Sequence, residues 1–516
     1  VLMAFVAIAY SKTYFSVLKS NADFYPIVPG RFEDACAVGY YEETVDKDGW
    51  GKLYIRTAHN LEEKEQAFCM GRLESYLTHH RMFQYWNNYK MNEYENGVPP
   101  ENLKAKVQEQ LNFFEDNAGT NETEYWKRQK VIMGQFRGLV SGYREFKSEG
   151  EDISELELYM LISVGDLENL NEIYKTGREP ETSIVHMRAE FPDREYHECS
   201  ALVRAVGDEV MFGHGTWRGY YAMLRIYKVY DVFYGGRRVR MSFSSSPGLI
   251  HSKDDYYTVT ADDTELFVSE TTNSVRNESV YEPINDKLLS WQRILSALYY
   301  ERTASSFVEQ IKPYNSGTYD NQWIVFDVKA WKKSKTEALF ICEQMPGLMK
   351  SHDVTEYLTL DEHQHMWPSY NVPYDREIYE RSGYSMDKNE YTDCSRAKIF
   401  ARDAGNVNTI DDMKKMMLYN NYEVDEFSAG DPKEAIASRY DLRENKPNAF
   451  GAIDAKFVST ANPHVTYAIS GPTHDQQPVF QWVGTSFTNV RDGVPDVFNF
   501  DWIEVNDLQD ETSKNN

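Results

Sequence analysis

Apolar and aromatic residues recur at three- and four-residue steps through residues 62–90, 102–117 and 124–146, the spacing of an amphipathic helix face, and predict three helices. Pro99-Pro100 and the polar stretch 117–123 separate them. From about residue 199 the texture changes. Short runs bounded by turn residues, at 200–205, 210–213, 238–244, 256–260, 323–328 and 338–343, read as β-strands. One further helix is expected over 287–311, with Leu288, Ile294, Leu298 and Phe307 on its apolar side. The last third is rich in loops and aromatics, and neither an internal repeat nor a low-complexity tract occurs. A helical front followed by strands with covering helices predicts an α+β fold. Residues 150–152 and 178–181 are expected to be flexible joints before residue 199.

Residues 199–217 alternate like a β-hairpin turning at Gly207-Asp208, a two-residue loop. That turn pairs Cys199 with Thr216 and Ala201 with His214, so Cys199, His214 and Thr216 share one face. A slip of one residue would separate them. By residue type alone, a cysteine opening a strand is a small buried hydrophobe, and a nearby histidine is a satisfied structural residue.

Composition narrows the function. The 516 residues carry a formal charge of −26 and a pI near 4.9, which excludes a nucleic-acid partner, because phosphate binding wants a basic surface. The five cysteines (Cys36, Cys69, Cys199, Cys342, Cys394) are too few for a disulfide scaffold and are not spaced for zinc. No metal, nucleotide or redox cofactor is indicated. Residues 1–9 are an apolar run with an Ala-x-Ala ending, expected to be the remnant of a signal peptide. Asn121 and Asn277 head glycosylation sequons, in keeping with a secreted chain, and no stretch is long enough for a membrane helix.

Several longer motifs follow one another. Cys199-Ser200-Ala201-Leu202-Val203-Arg204 leads into Gly213-His214-Gly215-Thr216-Trp217, then Phe243-Ser244-Ser245-Ser246-Pro247-Gly248 and Glu270-Thr271-Thr272-Asn273. Asn315-Ser316-Gly317-Thr318-Tyr319-Asp320-Asn321-Gln322-Trp323 and Trp367-Pro368-Ser369-Tyr370-Asn371-Val372-Pro373-Tyr374 come next, before Arg396-Ala397-Lys398-Ile399-Phe400 and Gly451-Ala452-Ile453-Asp454-Ala455-Lys456. In this order, across roughly 199–483, they resemble the phospholipase B-like family.

That resemblance implies an N-terminal-nucleophile hydrolase: an αββα sandwich of two antiparallel sheets between helical layers, in a secretory, lysosomal or extracellular protein. It implies self-cleavage between Glu198 and Cys199. A fragment 10–198, helical in character, would then stay associated with a catalytic fragment 199–516, as monomer or homodimer. Cys199 would be the nucleophile and its freed α-amine the base. His214 and Trp217 would flank it in one pocket, and packing and strand termination remain the competing roles for both. Asn321 is the leading donor to an oxyanion, with Asn315 in reserve. Asn315 beside Gly317 reads equally as a turn residue. Thr216, Thr271 and Thr272 would line the pocket, and Arg396 would hold a substrate carboxylate or phosphate, against a purely structural reading. Gly215 stands where some family members carry a polar residue, so one hydrogen bond to substrate is expected to be missing. The implied activity is hydrolysis of acyl esters in glycerophospholipids. An amidase acting on N-acyl lipids or peptides, and a catalytically silent binding protein, are the alternatives.

Overall fold

The computed structural model describes residues 12–20, 24–174, 199–385 and 389–508. The expected signal remnant, the joint at 178–181 and Glu198 lie outside the described residues.

Among the described residues the strands form an eleven-stranded sheet, a six-stranded sheet and a small two-stranded one. In spatial order the large sheet runs Leu348–Asp353, Leu339–Met345, Asn321–Asp327, Thr264–Thr272, Tyr256–Ala261, Arg237–Ser245, Arg225–Tyr234, Trp50–Thr57, Ala37–Glu42, Phe15–Val17 and Ile27–Pro29. The second sheet runs Met366–Ser369, Cys199–Val206, Glu209–Gly219, Phe450–Ser459, Asn462–Ser470 and Ile503–Asn506. The α+β expectation is met, with two corrections. The front of the chain is not only helical, because residues 15–57 supply four strands of the large sheet. Nor are all pairings antiparallel: Trp50–Thr57 lies parallel to Arg225–Tyr234. A parallel pair needs a long crossover, and the helices between these strands provide it.

Apolar side chains show how the layers stack. One cluster joins Ala201, Val203, Phe212 and Val458 of the smaller sheet to Phe267, Ile324, Phe326 and Ile341 of the larger, so the two sheets face each other. On its other face the large sheet meets the helices Glu63–Glu93, Glu124–Phe146 and Ser290–Tyr300 through Leu73, Trp86, Phe136, Leu139 and Ile294. The smaller sheet's outer face (Leu202, Met211, Phe457) packs on Ile399, Phe400, Met413 and Met417.

The two longest of these helices touch backbone to backbone. A Cβ at Gly71 would lie 2.1 Å from the Gln135 carbonyl oxygen, and one at Gly138 would lie 2.0 Å from that of Phe68. Larger residues there would force the helices apart. The predicted helix 287–311 is in fact two, Ser290–Tyr300 and Ala304–Gln310, because Thr303 caps a new start by accepting from the Ser306 amide at 3.1 Å. The expected joint at 150–152 is pinned, since the Tyr143 hydroxyl donates to the Glu151 carbonyl oxygen at 2.9 Å. Cys36 and Cys69 form a disulfide, while Cys199, Cys342 and Cys394 take part in no disulfide among the described residues.

Candidate active site

The hairpin Cys199–Val206/Glu209–Gly219 has the register read from its turn: Cys199 opposes Thr216, Ala201 opposes His214 and Val206 opposes Glu209. Gly207 adopts φ +65°, the left-handed region that favours glycine. Alternation carries Ala201, Val203, Val210 and Phe212 into the space between the sheets, and Cys199 and His214 belong to the same set of positions.

Cys199 is 2% exposed. Its Sγ lies 4.0 Å from Glu270 Oε1, at the end of the strand Thr264–Thr272 of the opposite sheet. A ring nitrogen of His214, the Cys199 sulfur and a Glu270 carboxylate oxygen all fall within 4.8 Å of one another. His214 Nε2 is 2.8 Å from the backbone oxygen of Glu270, which can only accept, so Nε2 carries the proton and Nδ1 the lone pair. Nδ1 has no hydrogen-bond partner among the described residues. Burial, aided by the nearby cations Lys456 and Arg225, pushes the imidazole pKa well below its ordinary value and keeps the ring neutral.

Glu270 is tolerated in this interior because its oxygens are matched. Tyr319 Oη stands 3.0 Å from Oε1 and the Thr272 hydroxyl donates to Oε2 at 3.3 Å. The Asn321 amide, in the orientation that satisfies both its ends, donates to Oε2 at 2.9 Å. The backbone nitrogen of Cys199 donates to Asn371 Oδ1 at 3.3 Å, and Asn371 Nδ2 donates to the Thr272 carbonyl oxygen at 2.7 Å. Asn371 and Tyr319 both hold left-handed φ, +69° and +53°, a cost of about 1 kcal/mol or more each that side-chain residues accept where surroundings fix them.

Below the strand, Arg396 acts on the backbone. Its Nη1 donates to the Cys199 carbonyl oxygen and stands 3.3 Å from Ser200 Oγ, and its Nη2 donates to the Tyr370 carbonyl oxygen at 2.8 Å. The guanidinium stacks 4.4 Å above the Trp217 ring. Trp217 itself packs with Ala437, Tyr440 and Ala452 and donates to the Ile436 carbonyl oxygen at 3.2 Å. It therefore reaches Cys199 through Arg396 and the backbone. Thr216 joins a buried ion cluster: Lys456 bonds its hydroxyl, its amide donates to Asp454 Oδ1 at 3.3 Å, and Asp454 also meets Arg225 at 2.9 Å. A register irregularity between Ala452 and Asp454 aims that carboxylate at the hairpin.

The other sequence candidates sit as follows. The Thr271 hydroxyl bonds Ser369 Oγ at 2.6 Å, bridging the sheets. Asn315 is committed within its own loop, donating to the Met345 carbonyl oxygen and accepting from the Gly317 amide. A Cβ at Gly215 would approach Met417 Cε at 3.7 Å, on the helix side of the sheet, so a polar residue there would not face the thiol. In both sequons the hydroxyl of Thr123 or Ser279 donates to the asparagine Oδ1, of Asn121 and Asn277 respectively. The sequence pattern assigns no role to Glu270, Tyr319 or Asn371, although all three stand inside its collinear motifs.

The family model described as Phospholipase B matches residues 37–505. Phospholipase B-like protein G of Dictyostelium discoideum is 37% identical over 92% of this chain and 87% of its own length. Phospholipase B-like protein D of the same organism is 33% identical over 96% and 91%, and human Phospholipase B-like 1 is 33% identical over 91% and 87%.

Proposed function

The chain belongs to the phospholipase B family, and from that premise we propose that it hydrolyses acyl esters of glycerophospholipids with Cys199 as nucleophile. The observation that carries this reading is the convergence of a buried thiol, a neutral imidazole and a hydrogen-bonded carboxylate within 4.8 Å at the first residue of a strand. The layered sheets and helices agree with an N-terminal-nucleophile sandwich.

In the intact chain the Cys199 nitrogen is an amide and has no basic lone pair. Attack of Sγ on the Glu198 carbonyl carbon, loss of the amide nitrogen and hydrolysis of the resulting thioester would leave Cys199 with a free α-amine. That amine, with an ordinary pKa of about 7.7–8.0, accepts the thiol proton at near-neutral pH. The thiolate then attacks the lipid carbonyl, the ammonium protonates the departing alkoxide, and water releases the fatty acid from the thioester. Asn371 Oδ1, already 3.3 Å from the Cys199 nitrogen, would orient the amine. The parallel strand pair Trp50–Thr57/Arg225–Tyr234 supports continued association of the two fragments after cleavage. A lysosomal or extracellular site of action goes with this reading.

The test is to incubate wild type and Cys199→Ala at mildly acidic pH, follow the chain by mass spectrometry, and assay both on phospholipids and on N-acyl amides. Wild type should gain an N-terminus at 199 and then release fatty acid from phospholipid, while Cys199→Ala should do neither. A new N-terminus at 199 in Cys199→Ala would assign the cut to an outside protease. Faster turnover of amides than esters by the cleaved protein would replace the phospholipase reading with an amidase.

A further inference from the structure

Cys199, His214 and Glu270 offer three different donor atoms to one point: a thiolate sulfur, an imidazole nitrogen and a carboxylate oxygen, all within 4.8 Å of one another and all buried. We propose that this trio is a binding site for a thiophilic divalent cation, Zn²⁺ by its donor set, and that the bound ion holds the nucleophile silent. The inference deepens the hydrolase reading, because it assigns a reversible block to the same thiol.

Four features of the geometry support it. The mixed sulfur, nitrogen and oxygen set suits Zn²⁺ and not Mg²⁺ or Ca²⁺, which prefer oxygen. Tetrahedral zinc, with bonds of about 2.0–2.3 Å, holds its ligand atoms roughly 3.3–3.7 Å apart. The Sγ–Oε1 separation of 4.0 Å therefore needs a contraction of only a few tenths of an ångström. His214 already shows the arrangement of a metal-ligating histidine: Nε2 is tied to a backbone carbonyl oxygen at 2.8 Å, and Nδ1, with its lone pair, is buried without a partner among the described residues. Glu270 is oriented by Asn321 and Thr272 on Oε2 and by Tyr319 on Oε1, and a carboxylate oxygen can accept a hydrogen bond and ligate a metal at once.

Charge balance also favours the cation. Thiolate and carboxylate together carry two negative charges, which a divalent ion neutralises in an interior where unpaired charge is costly. Binding releases the thiol proton to solvent. The fourth position falls to water in the intact chain. In a cleaved chain the α-amine of Cys199 would fill it, closing a five-membered chelate with the same residue's sulfur.

The experiment uses the full chain, loaded with Co²⁺ or Zn²⁺ and freed of excess metal by gel filtration. The readouts are metal per protomer by elemental analysis and the thiolate-to-cobalt charge-transfer absorption. Wild type should hold one equivalent and show the band. Cys199→Ser should lose the band, Glu270→Gln should lose the equivalent, and Cys394→Ser and Cys342→Ala should keep both. Circular dichroism of each variant reports folding, and the wild-type absorption needs no variant. Less than one equivalent in wild type, or a band that survives in Cys199→Ser or vanishes in Cys394→Ser, would overturn the site. Mass spectrometry of the same proteins, before loading and after removal of the metal by a chelator, reads chain cleavage independently. A chain that binds metal yet never cleaves after a chelator has stripped the ion would sink the hydrolase reading and leave the three-ligand site standing, and a chain that cleaves and turns over but takes up no metal on loading would do the reverse.

Discussion

Replacing Arg396 with methionine separates two roles for this residue. The family resemblance allows either a hold on a substrate anion or a structural role, and the described donors of Arg396 go to the protein's own backbone: to the carbonyl oxygens of Cys199 and Tyr370, with Ser200 Oγ at 3.3 Å. Methionine fills similar volume and strands both carbonyls in an interior, at about 1–3 kcal/mol each. It also removes the stack on Trp217, worth about 2 kcal/mol when desolvated. Against this, the cost of burying a guanidinium, several kcal/mol, disappears. The net expectation is a loss of about 3 kcal/mol. With an unfolding entropy of about 2.1 cal/mol/K per residue over 516 residues, this lowers Tm by about 3 °C. Arg396→Lys keeps the charge without the planar fork and should fall between the two. The assay is thermal and urea unfolding of the three proteins, beside KM and kcat on a phospholipid. A clamp on the nucleophile's carbonyl predicts lower stability, slower turnover and an unchanged KM. An unchanged Tm with KM raised ten-fold would refute the argument and return Arg396 to the substrate.

Three further outcomes follow from the packing. Asp166 accepts from the Ser290 amide at 3.0 Å and the Thr318 hydroxyl at 2.6 Å, yet burial pushes its pKa up to about 6. A folded pKa above the unfolded value of about 3.9 gives stability that is full below pH 4 and is lost as pH rises through about 6. Asp166→Asn should therefore cancel a loss of about 3 kcal/mol between pH 4 and pH 7, read from urea midpoints; the same pH dependence in wild type and variant would contradict it. Opening the Cys36–Cys69 disulfide, which closes a loop 33 residues long, should cost about 4 kcal/mol in the Cys36→Ser/Cys69→Ser pair, read by urea unfolding. Asn371→Gly keeps the left-handed backbone at φ +69° but removes the acceptor for the Cys199 nitrogen. It also strands the Thr272 carbonyl oxygen, at about 1–3 kcal/mol, so it should lower Tm by about 1–3 °C and kcat of the cleaved chain about 100-fold; full activity would show that this contact does not orient the amine.

The hairpin could be read from the sequence because two local signals agree there. Period-two alternation on both sides and a Gly-Asp turn leave one register, and the structure has it. Elsewhere tertiary pairing overrides local pattern. Trp50–Thr57 carries Gly51, Lys52 and Arg56, which weaken its strand character, and becomes a strand because Ala37–Glu42 and Arg225–Tyr234 complete its hydrogen bonds on either side. The helical period of 287–311 runs on across 301–303, so only the Thr303 cap reveals that the axis restarts. At 150–152 a glycine and two acidic residues read as a joint, and a buried tyrosine hydroxyl makes them a fixed corner.

The site is harder to read for a different reason. Its members come from the hairpin, the end of Thr264–Thr272, the loop before Asn321–Asp327, the segment after Met366–Ser369 and the helix Ser395–Asp403. Outside the hairpin, none is marked by its immediate neighbours. A glutamate at a strand end reads as a solvated charge, and Glu270 departs from that only because Tyr319, Thr272 and Asn321 converge on it. An arginine opening a helix reads as surface, and Arg396 is interior only because two carbonyls and an indole face receive it. The dependence runs both ways. A carboxylate whose donors are fixed by two neighbouring strands and the loop between the sheet and a helix does not reorganise when charge moves beside it. A thiol whose carbonyl is clamped and whose nitrogen already meets an acceptor is oriented before any substrate arrives. Scattered placement in the chain is thus the cost of rigidity in space: five segments anchored in different layers hold the nucleophile more firmly than any local motif would.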